Sequence, residues 1–258
     1  IGKLDVVAGG MFYKKQGHNW GSTETRGRMT INLRYRINDK MSFGVNTNIQ
    51  MNKSQTFFLW GGTGINKYIP SAATGIPTAS RSFRVSVDPF FRYADTKGNS
   101  HKVLFRYNRT AIDNTGEQDN SNNFYYGEYQ YQRKIDKWNF VITCGSVGSY
   151  FSSQAQLFGD TTHTGTNIAG YFQLDKKFFN RLNITYGFRF ETNKIDKDKW
   201  ETKPVSRVGV NVQAAKYTFI RSSFGQGYRY PTVADRFIET SLSSSFGIVP
   251  NRNLTSET

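Results

Sequence analysis

Residues 29–51 read MTINLRYRINDKMSFGVNTNIQM, and this stretch decides the fold class. In 29–37 every odd position is apolar and every even position is polar. The alternation returns in 41–51, with Thr47 as the exception, after the turn residues Asn38-Asp39-Lys40. A helix would spread these apolar side chains around its surface, whereas a strand places them on one face and Arg34 and Arg36 on the other. The stretch therefore predicts a long β-hairpin with one apolar face and one polar face.

The same period of two recurs along the chain and predicts roughly eleven strands of about 9 to 13 residues each. Short connections are predicted at 38–40, 95–100, 135–137, 178–181 and 214–216, and long ones at 52–80, 113–123, 152–163 and 193–203. Long two-faced strands with short turns at one end and long loops at the other are typical of a transmembrane β-barrel. A soluble sandwich or an up-and-down barrel is the alternative for an all-β chain of this kind.

The composition is compatible with a membrane barrel although the mean hydropathy is only −0.59. No apolar run approaches the roughly 18 residues that a membrane helix needs. A barrel wall alternates lipid-facing and lumen-facing side chains, so its average hydropathy stays low while one face remains apolar. Aromatic residues make up 16% of the chain, which suits β-strands and membrane interfaces.

The net charge of +15 first suggests a nucleic-acid partner. However, Arg34, Arg84, Arg106 and Arg189 occupy the polar phase of alternating strands, and no basic run or recognition helix carries them. We therefore predict no nucleic-acid binding and place these four arginines on a lumen-facing surface, where they pair with carboxylates or contact substrate. By the same parity the side chains predicted to face lipid are those of Ile31, Val45, Val85, Phe105 and Phe188.

Few residues suggest chemistry. The single cysteine excludes an internal disulfide, and the three histidines are isolated in sequence, without a second ligand at metal spacing. Gly225-x-Gly227 lacks the third glycine and the following helix of a dinucleotide fingerprint. No Ser-His-Asp spacing or pair of catalytic carboxylates stands out. We predict no enzyme activity, no catalytic residue, no cofactor and no metal site.

The 52–80 segment carries the best candidates for ligand binding. Phe57, Phe58, Trp60 and Tyr68 are interleaved there with glycines, which suits an aromatic contact surface on an outer loop. Anchoring at the membrane interface is the alternative role, because Trp and Tyr favour that depth.

The carboxy-terminal part of the chain carries a recognisable motif. It reads FGQGYRYPT at 224–232, ADRF at 234–237, PNRNL at 250–254 and ET at 257–258. This combination resembles the barrel signature of TonB-dependent outer-membrane receptors of a Bacteroidetes-like kind. Asp235 stands where that family usually has Glu, and Ser256 where it usually has Pro. The motif positions are Gly225, Gly227, Tyr228, Arg229, Pro231, Asp235, Pro250, Asn251, Leu254 and Glu257.

The resemblance implies a 22-stranded barrel, of which eleven strands are about half. Residues 1–258 are therefore expected to be one partial transmembrane β-barrel domain, incomplete at both ends, with the plug domain and the TonB box absent. The implied location is the outer membrane of a Gram-negative cell, in contact with lipid and lipopolysaccharide.

The implied function is import of a scarce small-molecule or peptide ligand: an iron-siderophore, haem, cobalamin, a glycan or a peptide. The energy would come from the TonB complex of the inner membrane, reached through the missing amino-terminal part. A passive porin, or a barrel that serves as a scaffold subunit with envelope partner proteins, is the alternative.

Overall fold

The computed structural model describes residues 2–57, 60–62, 68–71, 78–115, 118–243 and 246–257. Within them, eleven antiparallel strands form one sheet in chain order, so that each strand pairs with the strands before and after it. The strands are β1 (Leu4–Gln16), β2 (Thr23–Arg36), β3 (Met41–Thr56), β4 (Thr78–Ala94), β5 (Asn99–Asn114), β6 (Asn120–Ile135), β7 (Phe140–Ala155), β8 (Thr162–Phe178), β9 (Leu182–Ile195), β10 (Glu201–Ala215) and β11 (Thr218–Gly225). This meander confirms the all-β prediction and the number of strands.

In the part of the chain that the structure describes, the elements outside this sheet are short. Two 3-10 turns, Asp136–Trp138 and Gln156–Phe158, precede and follow β7. After β11 come the helix α1 (Val233–Phe237) and the small hairpin of β12 (Thr240–Ser243) and β13 (Phe246–Ile248). Among the described residues, no helix has the length and apolar character needed to cross a membrane.

The pairing register divides the strand residues between two faces, because residues directly opposite each other in an antiparallel pair share a face. One register row crosses from β4 to β10 through Tyr93, His101, Tyr131, Cys144, Phe172, Phe188 and Ser206. The face that contains this row is called the apolar face, and the opposite one the polar face. Ile31, Val45, Val85, Phe105 and Phe188 lie on the apolar face. Arg34, Arg84, Arg106 and Arg189 lie on the polar face.

Burial is inverted with respect to a soluble sheet. Every described strand residue that is buried belongs to the polar face: Thr143, Val147, Ala155, Gly165, Ala169, Asn193 and Ile195. Most of the large exposed hydrophobic side chains of the strands belong to the apolar face, for example Phe105 at 56% and Phe190 at 51%. A soluble sandwich buries its apolar face between two sheets, whereas a membrane barrel turns that face outward to lipid. The sheet therefore has the organisation of a membrane barrel wall.

The apolar side chains form a band of definite width. On β4 they run without interruption from Phe83 to Tyr93, through Val85, Val87, Pro89 and Phe91. Arg81, the next residue on this face before Phe83, lies outside the band. Ten residues at a rise of about 3.3 Å cover about 33 Å along the strand. At a tilt of about 40° this length projects to about 25 Å, which is the height of the apolar band in outer-membrane barrels.

The band also shows that the strands are tilted. Ser206 of β10 lies in the register row of Tyr93, where the band on β4 ends. On β10 the apolar residues continue to Val212, six residues further (212 − 206). Six residues are about 20 Å, and the six strand spacings from β4 to β10 are about 29 Å, so the band slopes by about 35° to the register rows. This agrees with the strand tilt of outer-membrane barrels.

The predicted long loops were too long. The connections are 57–77, 115–119, 156–161 and 196–200, because strands β1 to β10 have 13 to 17 residues rather than 9 to 13. The strands continue beyond the apolar band in polar residues whose backbones still pair, so side-chain alternation ends before the hydrogen-bonded ladder does. The last strand of the sheet, β11, has only eight residues and ends at Gly225. The 57–77 connection is the one that is much longer than the turns at the opposite end of the sheet.

The end of the sheet that carries 57–77 is called the loop end, and the opposite end the turn end. At the turn end Gly98 has a φ of +83°, a conformation that side chains with a Cβ rarely adopt. A Cβ built there would stand 2.4 Å from the carbonyl oxygen of Lys134. The β4–β5 turn therefore requires glycine at this position.

Candidate functional site

The aromatic residues predicted to contact ligand lie on the long connection at the loop end. Phe57 directly follows β3, while Phe58 lies outside the described residues. Trp60 is 62% exposed and forms an isolated bridge with Pro70. The carbonyl of Tyr68, whose residue is 45% exposed, accepts a hydrogen bond of 2.7 Å from the backbone N–H of Trp20. Trp60 and Tyr68 thus belong to the same exposed connection, which is hydrogen-bonded to the 17–22 connection. Their role in ligand binding stays a prediction.

Three of the four predicted arginines, namely Arg34, Arg106 and Arg189, have carboxylate partners on the polar face. Arg34 donates to Asp5 at 2.6 and 2.8 Å, and Arg36 donates to the other oxygen of the same carboxylate at 2.6 Å. Arg106 makes a bidentate pair with Asp88 at 2.7 and 2.8 Å. Such pairs hold the guanidinium groups in fixed orientations against the strands.

Other guanidinium groups on this face have no such partner. Within the described part of the chain, Arg84 of β4 and Arg207 of β10 make no ion pair with a carboxylate. Their positive charge is therefore available to a ligand or to a further part of the protein.

A hydrogen-bonded carboxylate lies near the middle of the polar face. Glu128 of β6 accepts a hydrogen bond from the Tyr171 hydroxyl at 2.7 Å on one oxygen and from the Tyr126 hydroxyl at 2.8 Å on the other. Tyr171 belongs to β8, so the contact joins two strands that are not neighbours in the sheet. The two tyrosines therefore fix the Glu128 side chain above β7.

A second network adjoins the first toward the loop end. Glu191 accepts hydrogen bonds of 2.7 Å from Arg189 on one oxygen and from Asn167 on the other. Asn167 also donates to Asn193 at 2.7 Å, and Asn193 donates to the Tyr228 hydroxyl at 3.3 Å. The network connects the sheet to the chain segment that follows β11. Burial raises the pKa of Tyr228, so its phenol is protonated at neutral pH.

Two adjoining cavities follow these networks. One has a volume of about 500 Å³ and is lined by Glu128, Tyr171, Arg189 and Arg207. The other has a volume of about 320 Å³ and is lined by Glu191, Asn193, Tyr228 and Tyr230. Ser149 and Asn167 line both, so the two volumes form one cleft, called the polar-face cleft below.

The carboxy-terminal motif forms the edge of this cleft, and folding brings its distant residues together. Arg229 donates to Asp235 at 2.9 Å and lies 3.6 Å from the carboxylate of Glu257. The backbones of Arg229 and Glu257 also exchange two hydrogen bonds of 3.0 Å. One arginine thus joins two acidic residues of the motif that are far apart in sequence. Gly225 ends β11, and Leu254 closes a turn by donating its N–H to Asn251.

Asp235 is the third residue of the helix α1, whose N-cap is Thr232. It accepts from the Thr232 N–H at 2.8 Å, while the Thr232 hydroxyl accepts from the Asp235 N–H at 3.2 Å. This reciprocal arrangement is a capping box, and it explains how Asp serves where the related family usually has Glu. The hydrogen bonds from Thr232, with the positive charge of Arg229, hold the pKa of Asp235 below its usual range.

The helix α1 is held against the loop end by aromatic and ionic contacts. Phe237 stacks on the His163 ring with centroids 3.8 Å apart, and His163 Nδ1 lies 2.7 Å from Asp196 Oδ2. Arg236 is buried and donates to Asp198 at 2.6 Å. Burial favours a raised pKa for Asp196, but hydrogen bonds from the Thr164 N–H and from His163 outweigh it and lower that pKa. The contacts fix the motif segment over the polar face.

The acidic and amide residues of the cleft were not predicted from sequence. Glu191 could have been found, because Arg189-x-Glu191 places a cation and a carboxylate on the same strand face. The contact of Glu128 with Tyr171 could not, because the residues are 43 positions apart and meet only through the register of three strands. Within the described ranges, no group of three or more His, Cys, Asp or Glu side chains could hold a metal ion.

The family follows from comparison with known proteins. A model of the family described as TonB dependent receptor-like, beta-barrel, matches residues 5–258. This chain belongs to the TonB-dependent receptor β-barrel family. Members of this family are receptors and transporters that form β-barrels in the outer membrane of Gram-negative bacteria. A comparison with curated proteins found no match by sequence.

Solved structures of TonB-dependent receptors share the fold. The siderophore receptor PirA from Pseudomonas aeruginosa is 11% identical, with a TM-score of 0.78 over 98% of this chain and 44% of that one. The ferric yersiniabactin uptake receptor FyuA from Yersinia pestis is 13% identical, with a TM-score of 0.70 over 89% of this chain and 43% of that one. The copper transporter OprC is 10% identical, with a TM-score of 0.66 over 90% of this chain and 42% of that one. The chain therefore spans less than half of the length of each of these three structures.

Proposed function

We propose that this chain forms part of the barrel wall of an outer-membrane receptor that imports a scarce ligand, with energy delivered from the inner membrane through TonB. The apolar face is in contact with lipid, and the polar face lines the lumen. The loop end is extracellular and the turn end is periplasmic. The observation that carries the proposal is the inverted burial of the sheet, in which charged and hydrogen-bonding residues occupy the covered face.

The chemistry of the polar face favours an anionic ligand. Arg84 and Arg207 carry charge without carboxylate partners among the described residues, and Arg207 lines the polar-face cleft. Guanidinium groups bind carboxylate and related oxygen anions in a bidentate manner. A ferric siderophore with carboxylate, catecholate or hydroxamate groups presents such oxygens. Because the fold resembles that of solved siderophore receptors, ferric siderophores are the first ligand class to test, before haem, cobalamin, glycans and peptides.

The exposed aromatic residues at the loop end are proposed as the first contact of that ligand. Trp60 and Tyr68 lie on one excursion, and their rings offer flat apolar surfaces with polar edges. A ligand bound there would then pass to the arginines of the polar face.

Uptake in cells tests the proposal. The full-length protein is expressed in a Gram-negative strain that lacks its own siderophore receptors, and entry of radioactive ferric siderophores is measured. We expect uptake in the presence of TonB and loss of uptake when TonB is deleted or the proton gradient is collapsed. Arg84→Gln with Arg207→Gln is expected to lower the rate, and Arg133→Gln at the turn-end border of the apolar face serves as the control.

The alternative roles predict other results. A passive porin would admit small solutes at the same rate with and without TonB. A scaffold subunit would show neither uptake nor conductance and would co-purify with envelope proteins. Either result would refute the proposed import.

A further inference from the structure

A row of cations crosses the apolar face just beyond the loop-end border of the band. Lys14 of β1, Lys53 of β3 and Arg81 of β4 lie in one register row, with Thr25 of β2 between the first two. Lys53 lies directly opposite Arg81, and like charges in that position repel each other. All three residues are exposed, and within the described ranges none has an ion pair or a hydrogen-bonded side-chain partner. The row is a concentration of positive charge without ion-pair partners, called the cation row below.

An apolar groove adjoins the cation row. A cavity of about 910 Å³ opens on the apolar face, with Lys53 and Arg81 among its lining residues. Phe12 and Met51 line it and are 75% and 60% exposed. Gly27 lies between them in the sheet, where a Cβ would meet nothing within 4 Å, so it leaves the groove deep. The site combines an apolar trough with a cationic rim.

The charge of the groove is distributed unevenly. Asp113, Asp119 and Asp160 line the side toward β5 and β7, away from Lys14. Asp113 is the other cross-strand neighbour of Arg81, yet no ion pair joins the two in the described chain. An anion is therefore attracted to the side of β1 to β4 and repelled from the other side.

The height of the cation row matches a lipid headgroup. Lys53 and Arg81 each lie two residues beyond Met51 and Phe83, where the band begins, which is about 7 Å along the strand. Phosphates at a membrane surface lie just outside the hydrocarbon region, and lysine and arginine side chains extend toward them. Each cation near an anionic membrane surface contributes to binding.

We propose that this groove binds a phosphorylated lipid of the outer leaflet. The phosphate lies against Lys53 and Arg81, with Lys14 beside them, and an acyl chain lies along Phe12 and Met51. The inference rests on the orientation proposed above, in which the loop end is extracellular and the apolar face contacts lipid. It adds a defined binding site to a surface that otherwise contacts lipid without selectivity.

Native mass spectrometry of the full-length protein in mild detergent tests the site. Three probes are titrated: bisphosphorylated lipid A, the dephosphorylated molecule with the same acyl chains, and inorganic phosphate. We expect the wild type to retain the phosphorylated lipid at least tenfold more tightly than the dephosphorylated one. Lys53→Gln with Arg81→Gln should remove about tenfold of that affinity, or about 1.4 kcal/mol. Arg133→Gln with Lys137→Gln removes the same charge at the turn end and should leave binding unchanged.

A further variant separates this site from general charge attraction. Asp113→Asn removes a repulsive carboxylate and should strengthen binding of the phosphorylated lipid several-fold. Unheated gel migration verifies that each variant is folded before titration.

Several results would overturn the inference. These are equal retention of both lipids, equal loss in the two double variants, or displacement of the lipid by inorganic phosphate at the same concentration, which would identify a site for free anions. Because binding is measured without transport, and thiol labelling tests the orientation separately, failure here is distinguishable from failure of the proposed import.

Discussion

An arginine placed on β4 should be tolerated on one face of the strand and not on the other. Val87 lies on the apolar face, four residues from one end of the Phe83–Tyr93 band and six from the other, and therefore near the middle of the membrane. A charged side chain at that depth costs about 2–4 kcal/mol in an outer-membrane barrel. Val87→Arg should therefore lower the folding equilibrium constant by about 30- to 700-fold.

The neighbouring Ser86 provides the matched control, because it takes the same substituent on the polar face. It lies opposite Asn48 and Asn108, in an environment that already contains ion pairs. Ser86→Arg should cost less than about 1 kcal/mol. Urea titrations of the full-length protein in lipid vesicles, followed by unheated gel migration, measure both variants. Equal losses, or a larger loss for Ser86→Arg, would show that the two faces have been assigned wrongly.

Three further predictions concern the ends of the sheet. In a cysteine-free background, Gly62→Cys should react with an impermeant thiol reagent on intact cells while Asn180→Cys should not, and the opposite pattern would invert the topology. Gly98→Ala should destabilise the folded protein by at least about 1 kcal/mol in the same titrations, because its φ is +83° and a Cβ would stand 2.4 Å from a carbonyl oxygen. Gly27→Ala, where a Cβ meets nothing within 4 Å, is the control, and equal effects would contradict the reason given. Asp235→Asn should speed hydrogen exchange in α1 at neutral pH, because the cap contributes about 1 kcal/mol. Since the folded pKa of Asp235 is lowered, the wild-type cap should persist above the usual range for Asp and be lost as the pH falls through the folded value; an unchanged α1 in acid would refute this.

The sequence alone was sufficient to assign strand residues to the two faces of the sheet, because side chains in a strand alternate with a period of two. Once Ile31 and Arg34 are assigned to opposite faces, every later residue of that strand follows, and an error of one residue would have inverted the whole pattern. The ends of the strands could not be found in this way. Residues such as Lys53 and Thr56 continue the hydrogen-bonded ladder with polar side chains. Backbone pairing does not require apolar side chains, so the sequence pattern does not show where it ends.

The polar-face cleft could not be predicted from the sequence for a different reason. Contacts such as Glu128 with Tyr171 depend on the relative shift of strands, which is set by turn geometry rather than by the residues that meet. The carboxy-terminal motif could be recognised in the sequence, but its physical role could not. Only the folded chain shows that Arg229 joins Asp235 to Glu257 and that Asp235 caps the first turn of a helix together with Thr232.

The unequal connections of the sheet also influence the order in which it forms. Each strand pairs only with its neighbours in sequence, so the sheet can grow one hairpin at a time. The β4–β5 connection, 95–98, has four residues, whereas the β3–β4 connection, 57–77, has 21 (77 − 56). Closing the longer connection costs about 1.5 kcal/mol more in chain entropy, or about a twelvefold smaller chance of encounter. We therefore expect β1 to β3 and β4 to β11 to form as separate blocks, with the joining of β3 to β4 as the slow step of assembly.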